Sequence, residues 1–159
     1  MSTDQTPVVL YFDGLCEANP GGWMAWAWVA LARDGAVVAC GGKASPPQQG
    51  NTNNWAEYQG LIAGLRWLLN HSHFGVRVRG DSRLVINQVS GEWACNAANL
   101  RPLRGEAAEL VQQVGAVLEW VPREKNQRAD ALSREVLPAE ARPVVEASIA
   151  RREQLRGRR

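Results

Sequence analysis

The chain has no long apolar run, little histidine, and cysteines that are odd in number and scattered. No stretch approaches the ~20 consecutive apolar residues of a membrane span. The N-terminus, Met1-Ser2-Thr3-Asp4-Gln5, also lacks the basic-then-apolar order of a secretion signal. The expected setting is therefore the cytoplasm, with no membrane partner. The three cysteines, Cys16, Cys40 and Cys95, stand at unrelated spacings, which suits free thiols in a reducing compartment better than a disulfide framework. With only His71 and His73 to join them, the chain is poorly equipped for zinc. A basic body is missing too. Of the net charge of +2, the six arginines and three glutamates after Leu137 contribute +3, leaving −1 for the rest. Such a body has no strong general hold on a polyanion, so any such affinity must come from local contacts, bound metals or the tail.

What is present fits one domain with a proper core, since the chain has 159 residues, 45% of them hydrophobic. We divide it into a domain over residues 1–137 and a basic C-terminal extension over 138–159. The run Val8 to Asp13 is apolar on both faces, as in a central strand covered on two sides. Gly14 to Gly22 is expected to be a loop. Trp23–Ala32 and Ala36–Gly41 read as strands joined by a hairpin at Arg33-Asp34-Gly35. Asn54-Trp55-Ala56-Glu57 has capping-box form and opens a helix with apolar residues at 58, 61, 62, 65, 68 and 69. A short strand over residues 76–79 precedes Asp81, a candidate cap for a helix to about Val89. Residues 91–99 are irregular, a helix follows over 100–114, a strand over 117–121, and a last helix from Asn126 to about Val136. In the extension, Pro143 breaks any continuous helix, and a short one over 144–155 has Ile149 and Leu155 on one side. The expected state is a partly ordered, solvated extension, with a phosphate-gripping role as the alternative.

Connectivity then fixes an α/β architecture: a five-stranded mixed sheet flanked by helices. The first three strands are antiparallel through hairpins, and strands 1, 4 and 5 are parallel through right-handed helical crossovers. All three parallel strands deliver their carboxyl ends to one rim, where open sheets of this kind place their ligands. Asp13, Glu57, Asp81 and Asp130 meet there. Each acid has an ordinary structural use available: a turn for Asp13-Gly14, a capping box for Glu57, an N-cap for Asp81 and a solvated helix face for Asp130. Their convergence is harder to explain that way. Two carboxylates ~4 Å apart repel by about 4 kcal/mol at an effective dielectric of ~20, so the cluster calls for protons or cations. Oxygen ligands without His or Cys favour Mg²⁺ or Mn²⁺, and a pair of such ions suits attack of water on a phosphodiester.

These residues also carry a family resemblance. The pieces are Tyr11-Phe12-Asp13-Gly14 with Asn19-Pro20-Gly21-Gly22, Asn51 to Tyr58 with Gly60-Leu61, Gly80-Asp81-Ser82, and Trp120 to Arg123 leading to Asn126 through Leu132. In this order, over roughly residues 8 to 137, the chain resembles a type 1 ribonuclease H. The resemblance implies a ribonuclease H-like fold and cleavage of the RNA strand of an RNA–DNA hybrid by a monomer, leaving 5′-phosphate and 3′-hydroxyl ends. It implies two ions, with Asp13 bridging them, Asp130 on the ion that activates water, and Glu57 and Asp81 on the ion beside the leaving group. Cys16, Asn19, Asn53 and Asn54 match positions that contact the hybrid, and Thr52 with Asn19 matches a DNA-phosphate contact. The alternative is a non-cleaving hybrid or structured-RNA binder of the same fold, which would gain stability by losing the acids. A third reading is a related nuclease for DNA or double-stranded RNA, against which the asparagines weigh.

Two departures from the family pattern stand out. Many bacterial members carry a histidine in the loop before the last acid, where this chain has Arg123-Glu124-Lys125. That implies a slower enzyme, with Glu124 or Arg123 as substitutes; His71 and His73 are expected at the far end of the first helix as surface or cap residues. The family's basic protrusion after the second helix is also reduced here to Gly91 to Asn99, which holds no Lys or Arg. Trp93 remains there for sugar packing or for the core. Hybrid affinity is expected to fall unless Arg101, Arg104 or the arginine tail supplies it.

Overall fold

The computed structural model describes residues 5–157. Five strands, β1 (Pro7–Glu17), β2 (Trp23–Ala32), β3 (Val37–Ser45), β4 (Arg77–Gly80) and β5 (Val117–Trp120), form one sheet in the order β3-β2-β1-β4-β5. The β1–β2 and β2–β3 pairs are antiparallel, and β1–β4 and β4–β5 are parallel. This is the mixed sheet that the connectivity requires. The helices are α1 (Asn53–Asn70), α2 (Arg83–Ser90), α3 (Arg101–Val114), α4 (Gln127–Glu135) and α5 (Arg142–Gly157).

The main core lies between one face of the sheet and α1, α2 and α3. Leu10, Phe12 and Val78 of the sheet meet Tyr58, Leu61, Leu65 and Leu68 of α1 and Val85, Ala107, Leu110 and Val114 beyond it. Residues 58, 61, 62, 65 and 68 are buried as the spacing predicts, and Leu69 is half-buried. The other face of the sheet is covered less completely than the apolar run in β1 suggests. Val9 and Tyr11 stay half-exposed, and Tyr11 accepts a 3.0 Å hydrogen bond from Arg79, which also pairs with Glu119. These are polar neighbours in register across three parallel strands.

Three local readings are corrected. β1 continues through Gly14 to Glu17 where a loop was expected, because residues 14–17 keep pairing with 23–26 of β2. β3 likewise runs to Ser45. The extension is not a solvated appendage: α5 begins at Arg142 and accommodates Pro143 in its first turn, where the missing N–H would be unpaired in any case. Ala141, Val145 and Ile149 then close a second apolar cluster with Leu15, Ala25 and Leu137. Burying two such branched side chains contributes roughly 3–6 kcal/mol, enough to hold a short helix in place.

Candidate active site

Each of the four acids is positioned by a different element. The β1–β4 ladder ends at Tyr11 and Arg79, whereas β1 continues, so Asp13 lies two residues beyond the last parallel rung with only β2 beside it. Glu57 comes from α1, which approaches β1 unusually closely. A Cβ on Gly14 would lie 2.4 Å from the Glu57 nitrogen, and one on Gly60 would lie 2.7 Å from the Asp13 carbonyl oxygen. Those two glycines let helix and strand touch backbone to backbone. Asp81 follows the last residue of β4, and Asp130 sits in the first turn of α4.

The capping uses suggested by sequence fall to neighbouring residues. Thr52 is the N-cap of α1, its hydroxyl accepting from Trp55 N at 3.1 Å, which puts Glu57 beyond the reach of a capping box. Ser82, not Asp81, caps α2 and accepts from Val85 N at 3.2 Å. Asp13 is mid-strand, not in a turn. Asp130 forms an i,i+4 ion pair with Arg134 at 3.4 Å. Three of the four acids are therefore without the structural role that sequence offered them.

Carboxylate oxygens of Asp13, Glu57 and Asp81 all lie within 4.8 Å of one another. Asp130 lines the same open cavity of about 330 Å³, and its charge reaches Asp13 and Asp81. Burial pushes the Asp13 carboxyl well above the usual carboxylate range, and the Asp81 charge adds to it. Glu57 is raised for the same first reason, then by the charges of Asp13 and Asp81 and by its hydrogen bond to Asp13. Both carboxyls are therefore raised together, chiefly by their shared burial. Asp81 is also raised by burial, against the pull of the Arg123 charge.

This donor set fits a hard divalent cation. Glu57 Oε2 is buried and has no hydrogen-bond partner. A buried, unsatisfied carboxylate oxygen in a residue that clusters with two other acids is costly unless a cation or proton takes it up. The donors are oxygen only, as Mg²⁺-type sites require.

The polar residues around the acids divide into those at the surface of the cavity and those behind it. Asn53 and Asn54 line the cavity. Asn53 is fixed in orientation, because its Oδ1 accepts from Cys16 N at 2.7 Å and its backbone N donates to Asn19 Oδ1 at 3.1 Å. Cys16 itself is buried, its thiol directed at Ala18 O, so its side chain is not presented to the cavity. Thr52 acts as a cap and Asn19 as a brace for Asn53. In the loop without histidine, a short 3-10 helix over Arg123–Lys125 brings Arg123 to the cavity, while Glu124 lines a separate pocket with Tyr11 and Arg128. His71 and His73 stack on Trp67 at the C-terminal end of α1. Trp26 packs on Trp55 and Trp28 on Trp67, as packing residues do, whereas Trp93 is 48% exposed.

Sequence reasoning missed Asn126 and Arg134, and it named the arginine tail without saying which of its arginines reach the cavity. Asn126, read only as a helix start, is buried, donates to Phe12 O at 2.9 Å and acts on Asp81 to hold its carboxyl down against burial. Nothing in its spacing signals that contact. Arg134 stands four residues after Asp130, a helical pair spacing that was legible. Arg152 and Arg156 of α5 line the cavity as well, and no local pattern connects them to it.

A family model described as reverse transcriptase-like matches residues 11–136. Ribonuclease HI of Halobacterium salinarum is 41% identical over 131 residues, 80% of this chain and 62% of its own length. A bifunctional protein of Mycobacterium tuberculosis is 37% identical over 137 residues, 84% of this chain and 36% of its own. The chain thus spans less than two thirds of these relatives. Among solved structures, the RNase H1 of Halobacterium salinarum superposes with a TM-score of 0.73 at 40% identity, covering 81% of this chain and 96% of that one. LC11-RNase H1, solved in complex with an RNA/DNA hybrid, gives a TM-score of 0.71 at 28% identity, covering 80% and 94%. The sheet order, the converging acids and these likenesses agree: the chain belongs to the type 1 ribonuclease H family.

Proposed function

We propose that this protein hydrolyses the RNA strand of RNA–DNA hybrids with two divalent metal ions, leaving 5′-phosphate and 3′-hydroxyl ends. The observation that carries the reading is the cluster of Asp13, Glu57 and Asp81, with oxygens mutually within 4.8 Å and Glu57 Oε2 unsatisfied. Asp13, Glu57, Asp81 and Asp130 would hold the ions, Mg²⁺ in the first instance and Mn²⁺ as a substitute. When bound, the ions lower the pKa of a water nucleophile and neutralise charge on the leaving oxygen. Asp13 would serve both ions, Asp130 the one that supplies the water nucleophile, and Glu57 and Asp81 the one that relieves charge on the leaving oxygen.

The chain's own residues supply orientation. Asn53 has its carbonyl oxygen engaged by Cys16 N, which leaves its NH₂ group to donate to a 2′-hydroxyl or a phosphate oxygen. Asn54 offers the same chemistry beside it, and 2′-hydroxyl contacts are what separate RNA from DNA at a site. Cys16, Asn19 and Thr52 support the hybrid contact from behind by fixing this turn. Arg123 is the cation nearest to the role of the absent histidine, since its charge already acts on Asp81. Among the described residues no helix is long and apolar enough to cross a membrane, and Cys16, Cys40 and Cys95 are free. We assign the protein to the cytoplasm and to a monomeric state.

The test is incubation of the purified chain with matched RNA–DNA hybrid, RNA duplex and DNA duplex in Mg²⁺, Mn²⁺ or chelator. The expected result is cleavage of the hybrid's RNA strand alone, abolished by chelator, with a phosphatase-sensitive 5′ end on the product. Equal cutting of all three duplexes, or cutting that survives chelation, overturns the reading.

A further inference from the structure

The cavity that holds the acids also has a basic wall. One stripe of α5 carries Val145, Ile149, Arg152 and Arg156, a spacing that keeps all four side chains on one face. Val145 and Ile149 are buried in the second apolar cluster. Ile149, Arg152 and Arg156 line the cavity together with the four acids. The stripe therefore begins as an anchor and ends as two guanidinium groups at the site. Arg152 is held there by buried Glu17, which also accepts a 2.7 Å hydrogen bond from Ser148. Arg156 is exposed and has no hydrogen bond or ion pair among the described residues.

Arginines outside the cavity that the sequence offered as phosphate contacts, or that stand at the start of the same helix, are engaged in holding the fold. Arg101 donates to Cys95 O and Arg104 to Gln88 O, so both hold the segment after α2 in place. Arg142 closes the end of α4 through Glu135 O and Leu137 O. Residues 91–99 contribute no positive charge. The cations lining the cavity are Arg123, Arg134, Arg152 and Arg156; Arg134 is paired with Asp130 and Arg152 with Glu17, which leaves Arg156 as the cation of α5 available to a polyanion. We propose that Arg156, with Arg152 beside it, grips a backbone phosphate of the bound hybrid, on the strand whose neighbouring phosphate lies at the acids. The helix after Leu137 is then part of the substrate interface. A guanidinium matches a phosphate with two parallel hydrogen bonds, and the buried apolar end of the stripe fixes the helix that carries it. This inference rests on the hybrid substrate proposed above.

The experiment measures hybrid binding by fluorescence anisotropy across a salt series, in an Asp13→Asn background so that cleavage does not intervene. Arg156→Gln is compared with Arg151→Gln, which removes the same charge from the same helix outside the cavity. Arg156→Gln is expected to weaken binding about 5-fold near 0.1 M salt and to lower the slope of log K against log salt by about one, as loss of one phosphate contact does. Arg151→Gln should leave the slope unchanged. Equal effects of the two substitutions, or no effect of either, overturn the proposal. Cleavage is assayed separately in the chain that keeps Asp13. A chain that cuts no hybrid but still discriminates Arg156 from Arg151 in binding sinks the proposed reaction and leaves this interface standing; the reverse pattern sinks the interface alone.

Discussion

Carboxylate oxygens of Asp13 and Glu57 lie within 4.8 Å of each other, where Gly14 and Gly60 bring α1 against β1 backbone to backbone. One acid is fixed by a strand and the other by a helix, so neither can move away to relieve the repulsion. The cluster is thus a built-in instability that a cation or a proton must relieve, and the first predictions test that.

In chelator, stability should fall as pH rises. The folded values of Asp13, Glu57 and Asp81 lie above the ordinary carboxylate range. The native state therefore binds more protons than the unfolded chain between that range and the raised values. Their contribution is complete below pH ~4 and is lost as pH rises through the folded values. Thermal melts in chelator against pH should show this decline, and saturating Mg²⁺ should flatten it. A melting point that rises over the same window would contradict the raised values.

Asp13→Asn should abolish most cleavage while raising stability in chelator. Loss of a central electrostatic group costs about 10²–10³-fold in rate, and relief of about 1 kcal/mol raises the melting point by roughly 2–4 °C for a domain of this size. Paired cleavage and melting measurements check both signs together. A variant that is both less active and less stable would point to a structural role.

Gly60→Ala should displace the site while leaving every acidic side chain in the sequence. The added methyl would lie 2.7 Å from the Asp13 carbonyl oxygen, a backbone atom that cannot swing aside. Overpacking of this kind costs about 1–3 kcal/mol. Cleavage should drop even at temperatures where the variant is fully folded, as monitored by circular dichroism.

Ile149→Ala should destabilise the whole domain by about 2–5 kcal/mol, because its partners Leu15 and Ala25 belong to the central strands. A solvated tail would show no change. Removal of everything after Leu137 should therefore lower the urea midpoint as well as hybrid affinity.

Asn126→Ala should cost about 1–3 kcal/mol by leaving the buried Phe12 carbonyl without its donor. It should also lower cleavage through Asp81, on which the same amide acts. Urea midpoints and cleavage rates taken where the variant is fully folded separate the two effects: a lower midpoint with cleavage at the parent rate would contradict the link to Asp81.

The amino-acid sequence by itself determined the sheet, its strand directions and the four acids, because alternation, helical spacing and crossover handedness are local properties or follow from connectivity. It also placed His71 and His73 at the far end of α1. Tertiary structure decided what adjacency left open. Thr52 and Ser82 took the caps for which Asn54 and Asp81 were equally eligible, since only the final chain path settles which oxygen reaches the unpaired N–H. Cys16 turned inward for the same kind of reason. The tail was the largest gap. Val145 and Ile149 find Leu15 and Ala25 more than a hundred residues earlier in the chain, and no local pattern encodes a contact whose other half is that distant.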